Sequence, residues 1–152
     1  MKGSMLDIYK NFGALTIWKD NIYFAFMISN QVQVFSREGN PVERLTIPFQ
    51  PIQFKDLQLK QTSSGLRLNL DKGIVVETCA EKDGLYVLCY DENKKSVIFK
   101  LSGNSTQFQE VYLIEEQLLS LDFYNNELWT IGSKADLSIL VYQIPNPAQT
   151  QE

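Results

Sequence analysis

Histidine is absent from the 152 residues, and this removes much of the usual catalytic repertoire. Ser-His-Asp and Cys-His nucleophile systems are excluded, as are zinc sites that use imidazole. The two cysteines, Cys79 and Cys89, are too few for a disulfide framework. They flank one hairpin. A two-residue turn at Asp83-Gly84 places Cys79 opposite Leu88 and turns Cys89 to the other face, because side chains alternate along a strand. A three-residue turn over Lys82 to Gly84 instead places Cys79 opposite Val87, with Cys89 on the same face but only diagonal to it. The simplest reading is two buried thiols acting as small hydrophobes. The adjacent carboxylates Glu115-Glu116 and Asp91-Glu92 would point to opposite faces of a strand, so they read as solvated turns rather than acid/base pairs. Trp18, Tyr124 and Trp129 could stack on a sugar ring, although packing within sheets explains such aromatics more simply.

These residues sit on a hairpin that occurs three times. Asp83-Gly84-Leu85-Tyr86 matches Asp20-Asn21-Ile22-Tyr23 and Asn126-Glu127-Leu128-Trp129. Each copy runs from a strand end through a polar turn into a branched residue and an aromatic. Around it the chain reads as short strands. Ala14 to Trp18, Ile22 to Ile28, Gln31 to Phe35 and Pro41 to Ile47 form a first unit. Its second strand is apolar throughout, as for a strand covered on both faces. Its fourth opens on proline, which suits a sheet edge, and glycine in Arg37-Glu38-Gly39-Asn40 supplies a turn with positive φ. Ile74 to Ala80, Leu85 to Tyr90, Ser96 to Leu101 and Phe108 to Ile114 form a second unit. Leu118 to Phe123, Leu128 to Ile131 and Leu137 to Ile144 form a third, which lacks a fourth strand.

The units therefore span about 14–47, 74–114 and 118–144 within a single domain over 5–152, with an insertion over about 49–72. The insertion reads as an extra hairpin around a Lys60 to Gly65 turn. Its Lys55, Lys60, Arg67 and Lys72 outnumber Asp56 and Asp71, which makes it locally positive in a chain of net charge −4. Loops on a rigid scaffold are common binding elements, so Lys55, Lys60 and Arg67 are candidate binding residues; lysines that discourage strand pairing are the plainer account. Aligning the three hairpins makes Ala14, Glu77 and Ser120 equivalent, and likewise Thr16, Cys79 and Asp122. Glu77 and Asp122 are then carboxylates on first strands, and they are the other candidate binding residues.

The overall charge argues against broad nucleic-acid binding, which needs concentrated positive charge. No apolar run reaches the length of about 20 residues that spans a bilayer. Residues 1–4 read as a cloning remnant ahead of a truncated start, so the lack of a signal peptide leaves the compartment open, periplasm and cell surface included.

Repeats of about 43 residues, each a four-stranded meander, are the sequence mark of a β-propeller. A single twisted meander cannot bury both faces, whereas stacking like meanders around an axis does. The runs Asn21-Ile22-Tyr23-Phe24-Ala25-Phe26 and Gln31-Val32-Gln33-Val34-Phe35-Ser36-Arg37-Glu38-Gly39 resemble a blade of the six-bladed NHL/TolB-like propeller proteins. Asp83-Gly84-Leu85-Tyr86-Val87 fits the same template, while Ser36 stands where that group often has aspartate. The resemblance covers roughly residues 14 to 144 and implies an all-β, partial or half β-propeller. Three units are fewer than the four to eight that close a propeller. The chain is then part of a larger propeller, or a half-propeller completed by homodimerisation into a six-bladed ring, or an open sandwich or irregular barrel of the same hairpins. An open array of three would leave two apolar sheet faces bare.

The resemblance also implies ligand binding at the axial end, near Glu77 and Asp122. In gluconolactonase-type members, acids and amides there hold a divalent cation such as calcium, which takes about six oxygens; no matching ligand set is visible in this chain. The expected function is a non-enzymatic binding or scaffold module for a protein or carbohydrate partner, without a cofactor. The alternative is a lactonase- or glycan-processing-type hydrolase using those carboxylates and a cation.

Overall fold

In a computed structural model the chain is described at residues 10–53, 56–57, 59–63, 65–68, 70, 72–103, 105–125, 127–132 and 138–143. Alternating and apolar runs rich in branched and aromatic residues form strands, and the described residues contain no α-helix. β1 (Gly13–Trp18), β2 (Asn21–Phe26), β3 (Gln31–Phe35) and β4 (Pro41–Thr46) form the first sheet, in chain order. A separate two-stranded sheet follows, β5 (Leu59–Thr62) with β6 (Gly65–Leu68). β7 (Ile74–Glu81), β8 (Gly84–Tyr90), β9 (Ser96–Ser102) and β10 (Phe108–Ile114) form the next meander. β11 (Asp122–Tyr124), β12 (Glu127–Gly132) and β13 (Ser138–Gln143) form the last, with three strands. All neighbours within sheets pair antiparallel. The protein is all-β, built from repeated antiparallel meanders.

Local chemistry sets the hairpins. Lys19 and Asp20 both take positive φ, 48° and 64°, between the paired Trp18 and Asn21. This is the type I′ form that matches strand twist. Gly39, at φ 85°, closes the turn into β4, with its N–H donating to Ser36 O. Pro41 does begin an edge strand. In the second hairpin Glu81 pairs with Gly84 and Cys79 with Tyr86, so the turn residues are Lys82-Asp83, one position earlier than the two-residue alternative and one residue shorter than the three-residue one. An extra residue at Val76 then shifts the register between Val75 and Glu77. Gly73, at φ 59°, lets the chain pass so close to Ile52 that a Cβ would lie 2.6 Å from Ile52 N; the insertion is anchored there by Ile52 N–H donating to Gly73 O at 2.7 Å.

The three meanders are stacked through their faces, with β7 packed between β1 and β11. Thr16 lies against Thr78 and Trp18 against Glu81, while Glu77 meets Leu121 and Cys79 meets Asp122. The first strands thus run in one direction, side by side, and the arrangement is propeller-like. Two cores result. One, between the first and second meanders, holds Trp18, Tyr23, Ala25, Val32, Val87, Cys89 and Phe99. The other, between the second and third, holds Tyr86, Leu88, Ile98, Leu118, Phe123 and Leu128.

Position in the stack decides burial. Every residue of β8 is buried, because a meander covers each side. β2, expected to be covered on both faces, is buried only at Tyr23 and Ala25, with Ile22, Phe24 and Phe26 of its other face half-buried. Likewise Tyr23 and Tyr86 are core, but Trp129 at the same repeat position is 37% exposed. Its expected place in a core is corrected: among the described residues no further sheet covers it. The expected third-unit strand from Leu118 is also shorter. Leu118 makes only an isolated bridge to Gly132, and β11 begins at Asp122. The sequence also offers Met5 to Phe12 as the missing outer strand of the third unit or of a neighbour; residues 5–9 lie outside the described residues, and residues 10–12 form no strand.

Candidate functional site

Of the sequence-predicted residues, the structure brings Glu77 and Asp122 together. The hairpin registers pair Thr16 with Tyr23, Cys79 with Tyr86 and Asp122 with Trp129, so the three first-strand positions are equivalent as expected. Glu77 reaches across to the third meander, where its Oε2 accepts the Leu121 N–H at 2.6 Å. Burial raises its carboxyl above the ordinary range and the nearby Asp122 charge raises it further, opposed by the bond from Leu121. Asp122 is exposed, and its Oδ1 accepts the Phe123 N–H at 2.9 Å and the Cys79 thiol at 3.8 Å.

The cysteines face opposite ways, Cys89 into the first core and Cys79 against the second, and both are free. Cys89 is buried as expected, whereas Cys79 is only half-buried. Burial, followed by the charges of Asp122 and Glu81, pushes the Cys79 thiol up to about 11, so at neutral pH it is a poor nucleophile. Thr16 completes this line of first-strand polar groups, with its hydroxyl donating to Thr78 O at 3.0 Å. These side chains act mainly as ties between neighbouring meanders.

Glu77→Gln is therefore expected to retain the acceptor for Leu121 while removing a desolvated charge. A carboxyl raised in the folded state holds its proton more tightly than in the unfolded chain. Stability is then lost as pH rises from about the ordinary carboxyl value, 4.5, through the raised one. Chemical denaturation from pH 4 to 7 should show a slope that Glu77→Gln reduces, with no loss of stability at pH 7. Glu77→Ala, which leaves the Leu121 N–H without that acceptor, should cost about 1–3 kcal/mol. Equal losses for both variants would overturn this role.

The insertion residues lie apart from this line. Lys60 and Arg67 occupy directly opposed positions in the β5–β6 register, and Lys60 belongs to a strand rather than to the expected turn. Lys55 is outside the described residues. Among the described residues no group of three or more acidic or cysteine side chains is gathered to hold a metal ion, and no helix is long and apolar enough to cross a membrane. An open recess of about 370 Å³ is lined by Ile114, Glu115, Glu116 and Tyr142, with Glu115 ion-paired to Lys95 at 2.7 Å.

Two features carry no local sequence signal. The buried Ser96 and Tyr90 hold both backbone groups of Leu118, at 2.8 Å to its N–H and 2.7 Å to its carbonyl. On the end sheets, Leu15 and Ile17 on one side and Tyr124, Trp129, Ile131, Ile139 and Val141 on the other are exposed. An open array was the only signal for the second feature. No protein-family model matches the chain, and no curated protein matches it significantly.

Proposed function

We propose that the protein is a non-enzymatic binding or scaffold module of the β-propeller type, similar in its repeat to NHL/TolB-like proteins, and that it recognises an anionic protein or carbohydrate partner through its insertion. The observation that carries this reading is the pairing of Lys60 with Arg67 in a sheet of only two strands. Like charges directly opposed across a strand pair are destabilising. A two-stranded hairpin is already marginal alone. A cationic pair there, in a chain of net charge −4, serves a negatively charged partner better than it serves folding. The hydrolase reading has less support, because the Glu77 carboxylate is committed to the Leu121 N–H.

The test uses immobilised heparin and poly-glutamate at low salt as representative polyanions. The wild-type chain should be retained on at least one and released by added salt, with retention lost in Lys60→Gln/Arg67→Gln. Passage of the wild type without retention, or retention indifferent to the two substitutions, would refute the reading.

A further inference from the structure

The two bare sheet faces are the two halves of an interface that the chain already builds twice. In register, Thr16, Trp18 and Tyr23 of the first meander correspond to Cys79, Glu81 and Tyr86 of the second and to Asp122, Tyr124 and Trp129 of the third. In the first meander this face is docked. Trp18 and Tyr23 pack with their ring centroids 5.8 Å apart and their planes tilted by 54°, both are buried, and Trp18 Nε1 donates to Glu81 O at 2.9 Å. In the second it is docked too, with Tyr86 against Phe123 at 4.2 Å. In the third the same positions carry an aromatic pair again, Tyr124 with a hydroxyl donor where Trp18 has its indole N–H. That pair is bare, with Tyr124 65% exposed.

The opposite face follows the same rule. Leu15, Ile17 and Phe24 of the first meander correspond to Thr78, Ala80 and Val87 of the second, and Val87 is fully buried against the first meander. Leu15 and Ile17 are 62% and 68% exposed among the described residues. Each end of the stack thus presents what the other end is shaped to receive.

We propose that a second copy of this chain covers both faces, the Tyr124–Trp129 face of each copy docking on the Leu15–Ile17 face of the other. Such a contact is head-to-tail, and it forms a ring if the rotation closes and a filament if it does not. Two copies bring six large meanders, within the four to eight at which propellers close. Both interfaces are then satisfied at once and no apolar face is left bare. The inference rests on the propeller-like reading of the stack and not on what the insertion binds, so loss of polyanion retention and loss of assembly are separate results.

Sedimentation equilibrium over a wide concentration range tests it. The wild type should have twice the 17.5 kDa of one chain, without larger species. Trp129→Glu and Ile17→Glu, each on an exposed side chain, should each weaken self-association at least 30-fold, the loss expected of an interface anchor. Unchanged circular dichroism would show that each is folded. An equimolar mixture of the two variants should recover a dimer, because it restores one intact interface. A monomeric wild type overturns the proposal, and so does open-ended growth, which would mean that the ring does not close. A dimer that survives either substitution overturns it as well, by placing the contact elsewhere, and this arm needs only the variant that folds.

Discussion

Leu88→Ala is expected to destabilise the protein by about 2–5 kcal/mol, the range for deleting a large aliphatic side chain from a packed core. Leu88 is fully buried in the core between the second and third meanders. On its own sheet it lies between Glu77 and Ile98, and Leu121, Phe123 and Leu128 of the third meander share its cluster. Two sheets held by several interlocking strands cannot easily collapse into the space left by the lost atoms, which favours the upper part of the range. In thermal unfolding each kcal/mol moves the midpoint by about 2–4 °C for a chain of this size. Leu113→Thr, on the edge strand β10 where Leu113 is 54% exposed, should stay within about 0.5 kcal/mol. Similar losses for the two variants would mean that the second and third meanders are not stacked through β8.

The second large effect is expected at Leu118. Its N–H donates to Ser96 Oγ and its carbonyl accepts from the Tyr90 hydroxyl, and Ser96, Tyr90 and Leu118 are all buried. Water cannot replace either partner without entering a packed site. Ser96→Ala and Tyr90→Phe each remove one partner at almost constant shape. Each should therefore cost about 1–3 kcal/mol through the stranded backbone group rather than through lost packing. The double variant should depart from the sum of the singles, because both act on one residue. Amide hydrogen exchange at Leu118 provides the local readout. Its protection should fall in Ser96→Ala by more than at Val87, whose side chain packs in the other core. Losses below about 0.5 kcal/mol for both single variants would show that the third meander does not depend on this attachment.

Much of the fold was legible in the chain because hairpins are local. Alternation, turn residues and the recurrence of Tyr23, Tyr86 and Trp129 placed all three large meanders and the insertion hairpin. They also gave the equivalence of Thr16, Cys79 and Asp122. The errors arose where one residue of register matters. The turn at Lys82-Asp83 leaves the composition of the hairpin unchanged while putting Tyr86 opposite Cys79, and the extra residue at Val76 puts Val75 opposite Cys89. Of the candidate site residues, Glu77 and Asp122 could be assigned to first strands by alignment. Their closeness, and the use of Glu77 as an acceptor for Leu121, depend on how β7 packs against β11, a contact between residues about forty positions apart.

Period-two alternation, turn chemistry and the repeat were thus sufficient to establish an all-β chain of three meanders with a cationic insertion, because each depends on neighbours within a hairpin. Which side chains are core was decided by stacking. Tyr23, Tyr86 and Trp129 share a sequence context, yet the first two are buried and the third is exposed, since burial depends on whether a sheet follows and not on the residue. The absence of histidine limited the chemistry from the start. The tertiary structure then committed Glu77 to a backbone N–H, raised the Cys79 thiol by partial burial, and left apolar side chains exposed on both end sheets.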